Sequence, residues 1–317
     1  MRYKIYILYI GILIVLLLAG CGKSTDLDQD GNPTILKIAL SSSSEDNPQE
    51  VARRMEPMRL YLVKKLKIPV RYIMVANSYA TVIEALKAKK IHMGQLSPYP
   101  YLLARDKSKV TALFYMGKKD GNPTGDYKSC MITRKSSGLK TLDDIKSNIS
   151  KLTLGFVDPA SSSGHIIPHY FLRQNGIDPE KDFKKVVYTN NHPACILTLY
   201  SGKIDVACTE MPVLLQIRRR FNNVSPDSFN VVWTSTPIPP TAYCIRNDIS
   251  PLFKKKVLEA YMNANSDTAA WGAVKRNRVI RMQTTIPLDS LGYVPVDLKI
   301  YDEFAKMVKG MKDIEIK

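Results

Sequence analysis

From Thr34 to Ile245, short β-branched runs alternate with segments whose apolar residues recur every three or four positions. Residues 35–40 read as a strand, and Val51, Met55, Met58, Leu62 and Leu66 then share one face of a helix. Asn47-Pro48 supplies that helix with a cap and a proline at its first position. Pro57 should kink it, because the ring clashes with the preceding turn. A strand over 70–75, a helix over 78–89 and strands over 91–96 and 110–115 continue the pattern. A second series has strands over 127–133, 151–156, 184–188 and 204–207, with helices over 141–146, 163–174, 193–200 and 211–219. Strands over 229–234 and 241–245, separated by Pro237-Ile238-Pro239-Pro240, carry the chain back, and the remainder is mainly helical. Such alternation predicts parallel sheet with helices on both faces. Two series joined by extended segments predict two lobes, with a ligand cleft at the carboxyl ends of the strands.

The first twenty residues stand apart. Arg2 and Lys4 precede an apolar run over residues 5–19, which is short against the roughly 20 residues that span a bilayer. Leu18-Ala19-Gly20-Cys21 then has the form of a bacterial lipoprotein cleavage site. Cleavage before Cys21 and acylation of its sulfur would tether the chain to the outer face of the membrane; an uncleaved N-terminal anchor is the alternative. Either way the rest lies outside the cytoplasm. The polar stretch 23–33 has too little apolar surface to order itself and is expected to be a flexible tether.

The 317 residues are 45% apolar and 24% charged, which excludes wholesale disorder and allows two domains at roughly 150 residues each. Forty-six Lys and Arg against 29 Asp and Glu leave a net charge of +17, or +15 once Arg2 and Lys4 are removed. The basic residues form small scattered clusters, such as Lys64-Lys65 and Arg218-Arg219-Arg220, which read as solvated faces. With an external address, nucleic acid is not an expected partner. Besides Cys21 there are Cys130, Cys195, Cys208 and Cys244, without any CxxC; three lie in apolar strand-like runs and are expected to be free thiols.

Phosphate-loop, hydrolase-elbow, zincin and dinucleotide fingerprints are absent. Ser137 and Lys140 match the SxxK nucleophile pattern of penicillin-binding enzymes without its companion motifs, so an extracytoplasmic serine enzyme is one alternative, against an ordinary turn before a helix. His165 and His169, four apart, could share a metal with His192, which makes a metal-binding receptor a second alternative. The strongest local signal is Asp158-Pro159-Ala160-Ser161-Ser162-Ser163-Gly164, between a strand and a helix. Three hydroxyls with the first N–H groups of a helix form a nest of neutral donors suited to a tetrahedral oxyanion. A plain cap would need only one hydroxyl, and Gly164 is expected to allow close backbone approach.

With Asn47-Pro48-Gln49-Glu50, Ser97-Pro98-Tyr99, Tyr127-Lys128-Ser129, Asn191-His192 and Gly202-Lys203-Ile204-Asp205-Val206, this loop resembles the phosphonate/phosphite/phosphate-binding proteins of ABC importers over nearly the whole mature chain. The resemblance implies an α/β, two-lobed type II periplasmic-binding-protein fold with a ligand cleft between the lobes. It implies a signal peptide over 1–20, a lipoprotein tether over 21–33 with lipidation at Cys21, lobe 1 over 34–131 plus 242–317, and lobe 2 over 132–241. Ser161, Ser162 and Ser163 would hold the oxyanion, although the family usually has threonine at the middle position. Tyr79 and Tyr127 would donate phenolic hydrogen bonds, and His192 would point at the same oxygens. Glu210 would face an ammonium in aminoalkylphosphonate binders, but a second expected acid is replaced by Thr241. Phosphite, phosphate or a small alkylphosphonate therefore fits better than an amine-bearing ligand. The implied protein is a monomeric receptor, without cofactor, resident metal or enzymatic step, that hands its ligand to a membrane permease.

Overall fold

Strand β1 (Leu36–Ser41) pairs in parallel with β2 (Val70–Val75), and helix α1 (Pro48–Leu66) makes the crossover that two parallel neighbours require. The computed structural model describes residues 26–41, 48–75, 78–125, 127–280 and 287–309; the apolar run 5–19, Cys21 and the Asn47 cap lie outside them. Next come α2 (Tyr79–Lys87), β3 (Met93–Leu96), α3 (Pro98–Ser108) and β4 (Val110–Lys118). A second sheet begins with β5 (Ser129–Arg134), α4 (Leu142–Asn148) and β6 (Thr153–Phe156). A π turn (Ser162–Ile166) then runs into α5 (Ile167–Gln174), followed by α6 (Pro179–Asp182), β7 (Lys185–Tyr188), α7 (His192–Tyr200), β8 (Val206–Glu210), α8 (Met211–Leu215) and β9 (Phe229–Thr234). The chain returns through β10 (Ala242–Arg246), α9 (Pro251–Met262), α10 (Thr268–Ile280), β11 (Leu291–Pro295) and α11 (Lys299–Lys309).

The first sheet has the order β11-β4-β10-β3-β1-β2 and the second β7-β6-β8-β5-β9. Neither is purely parallel as the alternation predicts. β10 lies between β3 and β4, antiparallel to both, and β5 lies antiparallel to β8 and β9. These are the strands by which the chain enters each sheet from the other, so no helical crossover sets their direction. Returning into the middle of the first sheet requires slim residues, and Cys244 sits opposite Gly94 and Ala112.

Two elements escape the periodicity. The apolar spacing marks no element between the strands over 91–96 and 110–115, yet α3 stands there with Pro98 and Pro100 in its first turn, where a missing N–H costs nothing. β11 is a short edge strand ending in proline, inside a region that reads as helical. Pro57 stands within α1, which runs from Pro48 to Leu66 without interruption.

Each sheet is buried on both faces. In the first, Leu62, Phe114, Ile245 and Val257 lie in one cluster, while Leu86, Ile91, Tyr101 and Tyr301 lie in the other. In the second, adjacent β5 residues divide the same way: Cys130 and Ile132 pack with Ile196 and Leu199, and Met131 with Leu154 and Phe156. Cys130, Cys195, Cys208 and Cys244 are buried free thiols, and burial pushes the Cys195 thiol up to about 12, so it stays protonated and inert.

Residues 26–33 correct the expectation of a flexible tether through Pro33. Arg246, 2% exposed, donates to Asp26 at 2.6 and 3.1 Å and to Asp248 at 2.9 Å, and His92 Nε2 lies 2.9 Å from the Asp26 carboxylate. Leu27 bridges Pro33, and Ser250 bonds the Gly31 carbonyl and the Asn32 side chain. Composition misleads here because a buried guanidinium supplies the attraction that apolar surface does not. Among the described residues no helix is long and apolar enough to cross a membrane.

Candidate functional site

Several helices begin where the two sheets face each other. Ser78 and Tyr79 open α2, Ser97 caps α3 and Asn191 caps α7, and all four residues line a cavity of about 260 Å³. Helix N-termini carry unpaired N–H groups and partial positive charge, so their convergence favours an anion without a cationic side chain. The neighbouring caps of α2 and α3 leave the Ser78 and Ser97 hydroxyls free of capping bonds to their own helices.

The serine loop follows β6. Asp158 closes the turn by accepting from the Ala160 N–H at 2.8 Å, and Ser161 caps the π turn by accepting from Gly164 N–H at 3.0 Å. Gly164 is needed for a different reason from the one expected. A Cβ there would collide with the Val157 side chain, so the glycine lets the turn pack on its own strand rather than approach a ligand. Ser161, Ser162 and Ser163 are wholly buried. Ser162 Oγ accepts from the Tyr99 backbone N–H at 2.9 Å and donates to Ser97 Oγ at 3.2 Å, joining the second sheet's loop to the first sheet's helix. Ser163 Oγ accepts from the Tyr127 hydroxyl at 3.3 Å, and its carbonyl accepts from Ser129 Oγ at 2.6 Å.

Tyr79 reaches the hydroxyls of Ser97 and Ser161. Burial, aided by the Glu210 charge, pushes its phenol up to about 12 while those hydroxyls oppose the rise. Burial holds Tyr127 well above the ordinary phenol value, again with Ser163 and Ser97 opposing. Both are therefore neutral donors at any physiological pH. His192 opens α7, with Nδ1 3.0 Å from Thr209 Oγ1 and Nε2 3.7 Å from Glu210 Oε2. Burial lowers its pKa and the Glu210 charge opposes that, which favours a neutral ring. Tyr79, Tyr127, His192, Glu210 and Thr241 all line the cavity, and Glu210 and Arg220 are its only charged lining groups among the described residues.

Two anticipated arrangements are not assembled. Ser137 Oγ donates to the Arg134 carbonyl at 2.7 Å in a local turn, Lys140 is exposed, and neither lines the cavity. The proposed histidine trio is divided: His165 and His169 group with Glu180, while His192 faces the cavity. Cys21 lies outside the described residues. Conversely, Ser97 and the Tyr99 amide belong to the contact between the lobes, although the sequence marks them only through the tripeptide Ser97-Pro98-Tyr99. Their signal was serine before proline, a helix start, pointing at nothing until the second lobe is placed against it.

A family model described as "ABC transporter, phosphonate, periplasmic substrate-binding protein" matches residues 41–285. The chain is 25% identical to the phosphonates-binding periplasmic protein of Escherichia coli K12, over 69% of this chain and 64% of that protein. It is 28% identical to a probable ABC transporter phosphite-binding protein of Prochlorococcus marinus, over 57% of this chain and 60% of that one. The alignments thus span less than two thirds of these two relatives. A solved structure of PhnD1 from Prochlorococcus marinus with methylphosphonate superposes with TM-score 0.69 at 19% identity, covering 89% of this chain and 99% of that one. A binding-protein component of a phosphonate transporter from Pseudomonas aeruginosa gives TM-score 0.63 at 19% identity, over 88% and 98%. These likenesses establish a two-lobed type II periplasmic-binding fold.

Proposed function

Because this chain belongs to the periplasmic substrate-binding proteins of phosphonate ABC transporters, we propose that its cleft captures a phosphorus oxyanion for delivery to an importer's permease. The observation that carries the reading is the convergence of helix N-termini and two neutral tyrosines on one cavity, with the wholly buried Ser162 and Ser163 bonded to its lining at Ser97 and Tyr127 without lining it themselves. Phosphite, phosphate or a small alkylphosphonate presents oxygens that accept from such donors in a water-poor space. An oxyanion placed there exchanges the direct bonds of Ser162 to Ser97 and of Ser163 to Tyr127 for bonds through its own oxygens, so both lobes hold it and closure is coupled to occupancy. Glu210 accepts from a P–OH hydrogen, and Tyr243 and Tyr293, packed edge to face at 5.6 Å, offer an aromatic wall to a small alkyl group. Thr241 supplies no charge for an ammonium, which disfavours aminoalkylphosphonates.

The lobes in this reading are 34–131 plus 242–317 and 132–241. Residues 1–20 direct export, and acylated Cys21 holds a monomeric receptor at the outer face of the cell membrane, beside its permease. Capture and release need no covalent step.

The test uses the chain lacking residues 1–20, stripped of carried ligand by unfolding and refolding, and measures thermal shift and calorimetric binding with phosphite, phosphate and methylphosphonate. At a hundredfold excess over Kd one of them should stabilise the fold by about 2.7 kcal/mol. No response to any of the three would overturn the reading.

A further inference from the structure

Behind the serine loop, away from the cleft, a second group of side chains comes together. His165 lies in the π turn, His169 one turn on in α5, and Glu180 on the short helix α6. Their ligand-capable atoms all lie within 4.8 Å of one another. Neither histidine lines the cavity, and their side-chain partners are Pro159, Tyr188 and Glu180 rather than the serine hydroxyls.

The protonation pattern suits a metal. His165 Nδ1 is 2.8 Å from the Pro159 carbonyl, which can only accept, so Nδ1 carries the proton and Nε2 carries the lone pair. A carbonyl behind a ligating imidazole is the usual outer-shell support for such a ring. The Tyr188 hydroxyl lies 3.2 Å from His165 Nε2 and adds an oxygen at the edge of the group. His169 Nε2 is 3.2 Å from Glu180 Oε2, while its Nδ1 is buried without a hydrogen-bond partner on a side chain 6% exposed. A cation seated between His169 Nε2 and the Glu180 carboxylate takes the Nε2 lone pair and leaves the ring proton on Nδ1.

We propose that His165, His169 and Glu180 form a site for a borderline divalent cation of the zinc type, separate from the oxyanion cleft. Two neutral imidazoles and one carboxylate give net charge −1 and an N2O donor set, which selects Zn2+ over the oxygen-seeking Ca2+ and Mg2+. Bond lengths of about 2.0–2.2 Å require the three groups to draw inward. Glu180 can do so, because its side chain is 51% exposed on a four-residue helix. The fourth position falls to water or the Tyr188 oxygen. Since His165 belongs to the turn that carries Ser162 and Ser163, a bound cation braces the oxyanion loop from its far side.

The experiment is calorimetry and thermal shift of the metal-stripped chain with Zn2+, in parallel with Mg2+ and without any oxyanion, so that its outcome is independent of the cleft. One equivalent of Zn2+ should bind and raise Tm, and Mg2+ should do neither. Glu180→Gln, an exposed change safe for folding, and His169→Gln should each weaken Zn2+ binding at least tenfold. His192→Gln should leave Zn2+ affinity as it is. Absence of heat and thermal shift at excess Zn2+ would overturn the proposal. So would Zn2+ binding that survives Glu180→Gln and His169→Gln or disappears with His192→Gln.

Discussion

Two buried polar regions in this protein are built on opposite principles. Around Arg246 every group is charged or fixed: the guanidinium is saturated by Asp26 and Asp248, and the His92 ring accepts from Lys37 N–H at 2.9 Å through Nδ1. Around Ser161–Ser163 the groups are hydroxyls and amides, bonded to one another across the lobes at 2.9–3.3 Å. A hydroxyl can turn from one acceptor to another, whereas a buried guanidinium deprived of its carboxylates has nowhere to go. The first arrangement joins segments permanently. The second separates at little cost and re-forms around a guest, which is what a capture site between two lobes needs.

The contrast breaks most sharply at Arg246. Arg246→Met removes the partner of two carboxylates and should lower unfolding free energy by about 3 kcal/mol in urea denaturation, leaving oxyanion Kd unchanged in what remains folded. Acid should act next. Burial holds His92 and His165 down to about 4, so between pH 6.5 and 4 the unfolded chain binds protons that the folded chain does not. Their contribution is complete above pH 6.5 and falls by about 2 kcal/mol per histidine from pH 7 to pH 5, measurable as Tm against pH. His92→Gln, which keeps an acceptor for Lys37, should flatten part of that slope. Asp248, held to about 2 by its hydrogen bond to Arg246, adds a further loss only as pH falls from 3.8 through 2.

In the cleft the effects are on affinity. Tyr127→Phe removes a neutral donor and should weaken phosphite, phosphate or methylphosphonate binding by about 1.5 kcal/mol, roughly tenfold, with Tm of the empty protein nearly unchanged. Ser162→Ala should weaken it by about 1 kcal/mol while the circular dichroism stays native. Unchanged affinity in both variants would show that the serine loop only ties the lobes together. The smallest expected effect is a gain. Thr241→Asp should improve binding of 2-aminoethylphosphonate several-fold, by supplying a charge-assisted acceptor at the exposed rim.

Most helices and strands were legible because apolar spacing, Pro at a first helical position and Ser or Asn at a cap are properties of neighbouring residues. The Asn191 cap, the Thr141 capping box and the Ser161 turn all stand where those residues place them. The serine loop was legible as chemistry for the same reason, its three hydroxyls being consecutive. What the spacing could not reveal lies between distant positions. Ser162 meets Tyr99 across 63 residues, Arg246 reaches Asp26 across 220, and β10 slips between β3 and β4 against the parallel trend. The residues that could form a site were thus written locally. Which hydroxyls face each other, which histidines group with Glu180 rather than with His192, and why residues 26–33 are held were decided by packing, since a hydrogen bond or ion pair between remote segments leaves no period, cap or motif in the chain.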